Sequence, residues 1–115
     1  MFTGAHLILY SSDADADRAF IRDVLGFANV DAGHGWLIFA LPPAEMACHP
    51  TDGPPSSEFY LLCDDVRATI EALAGRGVAC GAITEARWGT ATAIPLPSGA
   101  KLGLYQPKHP LAITR

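Results

Sequence analysis

Hydrophobic and polar positions follow the same order twice along the chain. An apolar segment at 5–10 precedes a helical pattern over 11–26, and a second apolar segment at 58–63 precedes a helical pattern over 64–77. Each helical pattern opens with acidic residues and closes at a glycine, which are ordinary start and stop signals of helices. The repetition predicts two similar units, each beginning with a strand and a helix.

Three short strands are predicted after each helix, at 27–31, 35–41 and 44–49 in the first half and at 79–87, 89–96 and 100–106 in the second. Turn-forming residues separate them, as in "DAGHG" at 31–35 and "PSG" at 97–99. The stretch "PTDGPPSS" at 50–57 is interpreted as a joint. We therefore predict one α+β domain over 1–115, with two βαβββ units at about 4–50 and 58–107. Their curved mixed sheet would surround a cleft, with the helices on its outer face.

The predicted helix ends rest on particular residues. Ser12 is expected to cap the first helix, with Asp15 three positions later, and Gly26 to end it. Asp64 or Asp65 is expected to cap the second helix.

Alternation along the predicted strands separates polar from apolar positions. Because successive side chains of a strand point to opposite faces, His6, Glu45 and Glu58 can all face the cleft. The opposite parity is entirely apolar, as a face covered by helices should be. It comprises Ala5, Leu7, Leu9, Met46, Cys48, Phe59, Leu61 and Cys63. The alternation thus predicts three ionisable side chains on one surface.

Composition narrows the class of protein. Half of the 115 residues are hydrophobic and 17% are charged, which argues against disorder. The net charge of -4 and the scattered Lys and Arg residues argue against a nucleic-acid partner. The apolar runs are too short to span a bilayer, so no membrane partner is expected.

The three cysteines, Cys48, Cys63 and Cys80, lie in apolar segments and in no zinc-binding spacing. The N-terminal residues do not form a signal-peptide pattern. We therefore expect buried, reduced thiols and a cytoplasmic protein.

Three stretches carry a resemblance to a known family. These are "HLILYSSDADADRAFIRDVLGF", "EFYLLCDDVRATIEALAGRGV" and "GTATAIPLPSGAKLGLYQP". Together they resemble the vicinal oxygen chelate superfamily, which includes glyoxalase I, bleomycin-resistance proteins and extradiol dioxygenases. The resemblance covers nearly the whole chain and implies the paired βαβββ fold.

The resemblance also implies a set of metal ligands. In metal-dependent members, ligands come from the first and last strands of each unit, and these positions correspond here to His6, Glu45 and Glu58. The fourth position corresponds to Gly103, where relatives carry a glutamate and this chain has no side chain. One imidazole and two carboxylates suit Zn, Ni, Mn or Fe, and an ion there could stabilise an enediolate. Glu45 or Glu58 could then act as the catalytic base.

Two functions remain open from the sequence. The first is binding of a small molecule in the cleft without chemistry, as in bleomycin-resistance proteins. The second is a metal-dependent lyase, isomerase or dioxygenase that uses His6, Glu45 and Glu58. In either case Tyr10, Tyr60, Trp88 and Tyr105 are candidates for the pocket wall. A homodimer is expected from the resemblance and from exposed edge strands, and His109 is expected to be a solvated residue of the tail.

Overall fold

The computed structural model describes residues 6–45, 47, 49–50, 52–54 and 56–113. Helix α1 spans Ala14–Phe20 and continues as one π-helical turn, Ile21–Leu25. The remaining elements, in chain order, are β1 (Asn29–Asp31), β2 (Leu37–Phe39), β3 (Tyr60–Leu62), α2 (Val66–Ala74), β4 (Thr84–Glu85), β5 (Gly89–Pro95) and β6 (Lys101–Pro107).

The second half of the chain forms a complete βαβββ unit. Its four strands lie in the order β3-β6-β5-β4. Strand β6 pairs in parallel with β3 and antiparallel with β5, so the sheet is mixed. The α+β class and the mixed sheet predicted from the sequence are confirmed.

Among its described residues, the first half forms fewer strands than predicted. Strands β1 and β2 make a separate antiparallel pair. Residues 6–10 are exposed and belong to neither sheet, and residues 44, 45, 47 and 49 form no strand. The two differences are linked, because in the second unit the corresponding first and last strands pair with each other. Pro42, Pro43 and Pro50 flank the missing last strand and cannot donate ladder hydrogen bonds. Met46 and Cys48, predicted to lie under a helix, are outside the described residues.

The helix ends agree with the prediction except for the residue that caps α1. Asp13, rather than Ser12, caps α1 by accepting a hydrogen bond from the Ala16 amide at 3.2 Å. Asp65 caps α2 through the Ala68 amide at 3.0 Å. Gly26 ends the π-helical turn with a φ of 74°, a conformation that favours glycine.

The hydrophobic core lies between α2 and one face of the four-stranded sheet. Its buried members are Val66, Leu73, Val78, Ile94, Leu96, Leu102 and Leu104. Phe20, Val24 and Leu25 from the first helical segment pack against this core. The core of the second unit therefore also holds the helix of the first.

A buried carboxylate joins the two halves of the chain. Asp17 of α1 is 6% exposed and accepts hydrogen bonds from the Ser98 hydroxyl at 2.7 Å and the Ser98 amide at 3.0 Å. The Ser11 hydroxyl also donates to it at 2.7 Å. Burial raises the pKa of Asp17, but the hydrogen bonds from Ser98 and Ser11 together outweigh burial and hold the pKa below its usual value.

The described residues contain no helix with the length and apolar character needed to cross a membrane. The described part of the 50–57 joint contains neither helix nor strand.

The hydrogen bonds of Asp17 to Ser98 and Ser11 predict that part of the stability of the fold is lost in acid. Since the folded-state pKa is lowered, the ionised carboxylate stabilises the fold above the ordinary aspartate pKa of about 3.9, and this stability is lost as pH falls through the folded pKa. We expect Asp17→Asn to lower the free energy of unfolding at pH 7 by about 1–3 kcal/mol. Urea denaturation at pH 7 and pH 3 measures both effects, and the variant should lose less stability between them.

Asp15→Asn is the matched control, because the Asp15 side chain lies on the same helix and is 96% exposed. It should leave the unfolding free energy nearly unchanged. Equal stability losses in the two variants would show that the Asp17 hydrogen bonds contribute little.

Candidate functional site

The candidate site lies on the face of the four-stranded sheet opposite α2. In β6, Leu102 and Leu104 point into the core, so Gly103 and Tyr105 point to the other face. The register pairs Tyr60 and Ala93 with Gly103, and Ala91 with Tyr105, which places all of these on that face. We call it the open face.

Three aromatic side chains meet on the open face. The rings of Tyr60 and Tyr105 are perpendicular with centroids 5.3 Å apart, and Trp88 lies 5.2 Å from Tyr105 at 87°. Tyr60 and Trp88 also meet edge-on, at 6.2 Å. Edge-to-face contacts at these distances are favourable, so the rings hold one another in place. We call these three residues the aromatic cluster.

Two glycines make room for the cluster. A Cβ atom on Gly103 would lie 2.6 Å from Cε1 of Tyr60, closer still to Cδ1, and 2.9 Å from the Phe59 carbonyl oxygen. A Cβ on Gly89 would lie 3.0 Å from Cδ2 of Tyr105 and 2.5 Å from the Gln106 carbonyl oxygen. Both glycines are therefore required by close approach. At position 103, the space that a side chain would need is occupied by the Tyr60 ring.

Each tyrosine hydroxyl of the cluster has a partner from the same chain. Tyr60 donates to Oε2 of Glu58 at 2.8 Å. The Tyr105 hydroxyl lies 3.0 Å from Nε2 of His109, whose Nδ1 is 2.8 Å from the Pro110 carbonyl oxygen.

The electrostatics of the cluster are negative. The hydrogen bond to Glu58 and, after it, burial raise the pKa of Tyr60. Burial and, after it, the charge of Glu45 raise the pKa of Tyr105. Both phenols therefore stay protonated at neutral pH, next to two carboxylates.

The fold of a single chain does not bring the three predicted metal ligands together. His6 lies in the exposed segment 6–10, outside the sheet. Glu45 accepts a hydrogen bond from the Ala112 amide at 2.9 Å, and Glu58 is bonded to Tyr60. Within the described residues, no three His, Cys, Asp or Glu side chains form a group that could hold a metal ion. Within the part of the chain that the structure describes, the arrangement does not fit a metal, and the Tyr60 ring occupies the space beside Gly103, the position that the resemblance assigns to a fourth ligand.

The structure brings together three of the four predicted pocket aromatics. Tyr10 is 90% exposed and lies outside the cluster. His109, predicted to be solvated, is instead half-buried against Tyr105, with ring centroids 6.0 Å apart. No sequence signal marked this contact, because it depends on how the chain turns after β6.

Two other clefts in the structure are weaker candidates for a ligand site than the open face. One, of about 230 Å³, separates α1 from the β1–β2 pair and is lined by charged residues that already have partners. There, Arg18 contacts Asp15 at 3.2 Å and the Trp36 ring at 4.6 Å, and Arg22 is paired with Asp23. The other, of about 190 Å³, is lined mainly by apolar side chains where the two halves meet, among them Leu25 and Leu61. The open face brings three aromatic rings together with placed polar groups, a combination that is typical of small-molecule sites.

Comparison with known proteins gives several similar structures. TnmS3, an antibiotic binding protein from Streptomyces sp. CB03234, is 30% identical, with 94% of this chain and 100% of that chain covered and a TM-score of 0.62. Lactoylglutathione lyase from Agrobacterium tumefaciens is 18% identical over 90% of this chain and 92% of its own, with a TM-score of 0.62. A glyoxalase/bleomycin resistance protein from Streptomyces sp. CB03234 is 23% identical over 84% and 93%, with a TM-score of 0.50. No family model and no curated protein matches the sequence.

The contact between Gly103 and Tyr60 yields a mutational prediction. Gly103→Ala forces the Tyr60 ring away from β6, and we expect a loss of about 1–3 kcal/mol in unfolding free energy, as for other overpacked sites. Removing the ring in the double variant Tyr60→Ala/Gly103→Ala should relieve the part of this loss that the ring causes, while the close contact with the Phe59 carbonyl oxygen at 2.9 Å remains. Urea denaturation of the four proteins in this cycle measures the coupling.

Gly81→Ala serves as the control, since its Cβ would find its nearest atoms at 3.9 Å, an ordinary contact distance. It should change stability by less than about 0.5 kcal/mol. If Gly103→Ala were equally neutral, the Tyr60 ring would not occupy this space.

Proposed function

The chain belongs to the vicinal oxygen chelate superfamily of glyoxalase and bleomycin-resistance proteins, and we propose that it binds a small organic ligand on the aromatic cluster of its open face. The observation that carries this proposal is the meeting of Tyr60, Trp88 and Tyr105 over a floor of glycine and alanine. The small floor residues let the rings lie close against the sheet, and the aromatic side chains supply apolar contact area.

The likeness to an antibiotic binding protein supports a binding role without chemistry. An antibiotic or a related natural product is accordingly our first candidate ligand. Trp88 is 40% exposed although it belongs to the cluster, so part of its apolar surface is available to a ligand. Burial of such surface would favour binding by about 25 cal/mol for each Å² removed from water.

A divalent-metal-dependent lyase, isomerase or dioxygenase is the second candidate. The observation in its favour is that Glu45 and Glu58 both lie beside the aromatic cluster: the charge of Glu45 acts on Tyr105, and Glu58 is bonded to Tyr60. His6 would have to complete the set from a second copy of the chain or through pairing of the 6–10 segment.

We further propose that the protein is a homodimer. The chain exposes 8522 Å², whereas a compact monomer of 12.2 kDa would expose about 6,100 Å² by the general scaling of surface with mass. The excess of about 2,400 Å² is well above the ~800 Å² that each partner buries in a standard interface. Much of the exposed apolar surface comes from the first half, including Ile8 at 59%, Val30 at 65% and Trp36 at 64%. A second copy that covers this half would bury it.

A cytoplasmic location stays a prediction. It is supported by Cys63 and Cys80, which are free thiols in the structure and whose pKa values are raised, chiefly by burial. Thiols of this kind are unreactive and suit a reducing compartment.

Ligand binding can be followed through Trp88. In a Trp36→Phe background Trp88 is the remaining tryptophan, and titration with a panel of natural-product antibiotics should reveal compounds that change its fluorescence. Tyr105→Ala should then weaken binding of such a compound by about tenfold or more in calorimetry, because a ring contact is lost. Tyr10→Ala is the matched substitution at the tyrosine outside the cluster and should leave the affinity unchanged. A panel that leaves Trp88 fluorescence unchanged, or ligands indifferent to Tyr105→Ala, would contradict a site on the cluster.

The metal hypothesis is tested by calorimetric titration of Zn, Ni, Mn and Fe(II) into the metal-free protein. If Glu45 is a ligand, Glu45→Ala should lower the affinity at least about tenfold by removing a coordinating oxygen, and His49→Ala should not. Equal binding by wild type and Glu45→Ala would rule out that role, and absence of binding by wild type would refute the metal site.

The dimer hypothesis predicts a mass of twice 12.2 kDa in light scattering at micromolar concentration. Ile8→Glu should shift the mass toward the monomer, because a charge would be placed in a desolvated interface. Ala72→Glu, on an exposed position of α2, should leave the mass unchanged. A wild-type protein with the mass of one chain would refute the dimer.

A further inference from the structure

The hydrogen-bond direction of the two tyrosine hydroxyls in the aromatic cluster is fixed by their partners. A carboxylate only accepts, so the Tyr60 hydroxyl proton points at Glu58, 2.8 Å away. Toward a ligand, the Tyr60 oxygen can therefore only accept a hydrogen bond, through a lone pair.

The same conclusion follows for Tyr105 from the tautomer of His109. Nδ1 of His109 lies 2.8 Å from the Pro110 carbonyl oxygen, which only accepts, so Nδ1 carries the proton of the neutral ring. Nε2 is then bare and accepts the Tyr105 hydroxyl proton across 3.0 Å. Both hydroxyl protons of the cluster therefore donate to groups of the same chain and are not available to a ligand.

Two carboxylates that act on the cluster have the same preference. Glu58 is bonded to Tyr60, and the charge of Glu45 is felt at Tyr105. Lys108, next to His109 in sequence, is held at Glu85 and at the Ala86 carbonyl oxygen instead. Aromatic faces attract cations, and the net charge of -4 adds a weak attraction at longer range.

We propose that the open face selects ligands that carry a protonated amine, and that His109 acts as a positioning residue that keeps the Tyr105 oxygen an acceptor. This inference rests on the proposed function and specifies the chemistry of its ligand. An ammonium group would donate hydrogen bonds to the tyrosine oxygens and to Glu58, while its apolar part contacts the rings.

Protonation of His109 reverses this preference at Tyr105. With a proton on Nε2, the ring donates to the Tyr105 oxygen, and the hydroxyl proton turns toward the ligand. The site then gains a donor and a positive charge, which disfavours an ammonium group.

The test uses three probes that share one ring: benzylamine in its protonated form, benzyl alcohol and benzoate. They are titrated at pH 7.5 into the Trp36→Phe protein, with Trp88 fluorescence and the Trp88 indole NMR signal as readouts. Benzylammonium should bind at least about tenfold more tightly than benzoate. Glu58→Gln should weaken benzylammonium about threefold or more and leave benzyl alcohol unchanged. Glu85→Gln is the matched control, since Glu85 is bonded to Thr90 and lies on the helix-covered face.

The role of His109 has its own readouts. Nitrogen NMR at pH 8 should show a proton on Nδ1 and none on Nε2. His109→Ala should weaken benzylammonium relative to benzyl alcohol while the protein stays folded, because the Tyr105 hydroxyl proton is then free to turn toward the ligand. A proton found on Nε2 at pH 8, or an unchanged preference for benzylammonium over benzyl alcohol in His109→Ala, would overturn the positioning role.

The outcomes separate this inference from the proposed function. If the three probes bind alike and Tyr105→Ala abolishes their binding, the cluster is a binding site and the amine preference is wrong. Tighter binding of benzoate, or no response of Trp88 to millimolar benzylammonium, would also overturn the preference. The antibiotic panel tests the site itself.

Discussion

The alternation of side chains along β6 is the constraint on which the second unit depends. This strand lies between β3 and β5, and Leu102 and Leu104 are almost fully buried against the α2 side. Their burial leaves no freedom of register, because a shift by one residue would expose both leucines and bury Tyr105. Gly103 and Tyr105 are therefore fixed on the open face. The position of the aromatic cluster is thus a consequence of core packing on the other side of the sheet.

The sequence predicts most of the second unit because its signals are local. The cap at Asp65, the apolar stripe of α2 and the alternation in β6 each act over a few residues and agree with one another. The sequence predicts both Tyr60 and Tyr105 in the pocket wall, and the two rings meet in the structure. The contact between Tyr105 and His109 was not predictable in this way, since it depends on the path of the chain after Pro107. Nor does alternation reveal that the Tyr60 ring lies over Gly103, because the sequence shows a missing side chain without showing what takes its place.

The first unit shows the limit of pattern reasoning. Residues 6–10 have a clear strand pattern, yet a strand is stable only when its backbone groups find partners. The partner predicted at 44–49 lies between prolines and does not form in the described residues, so Leu7, Ile8 and Leu9 remain between 44% and 59% exposed. The pattern describes what these side chains require, namely an apolar environment. It does not state which chain supplies that environment.

The replacement of a carboxylate position by Gly103 has a chemical consequence beyond the loss of one ligand. A glutamate there would project from β6 into the space that the Tyr60 ring now fills, so the ring and the carboxylate exclude each other. With glycine, the open face gains a third aromatic surface and the Tyr60 hydroxyl reaches Glu58. Glu58, one of the positions that could hold a metal, is then engaged in orienting a tyrosine. Glycine at position 103 thus provides no carboxylate, makes room for the Tyr60 ring and lets the Tyr60 hydroxyl bond to Glu58. These three features favour recognition of an organic ligand over coordination of an ion.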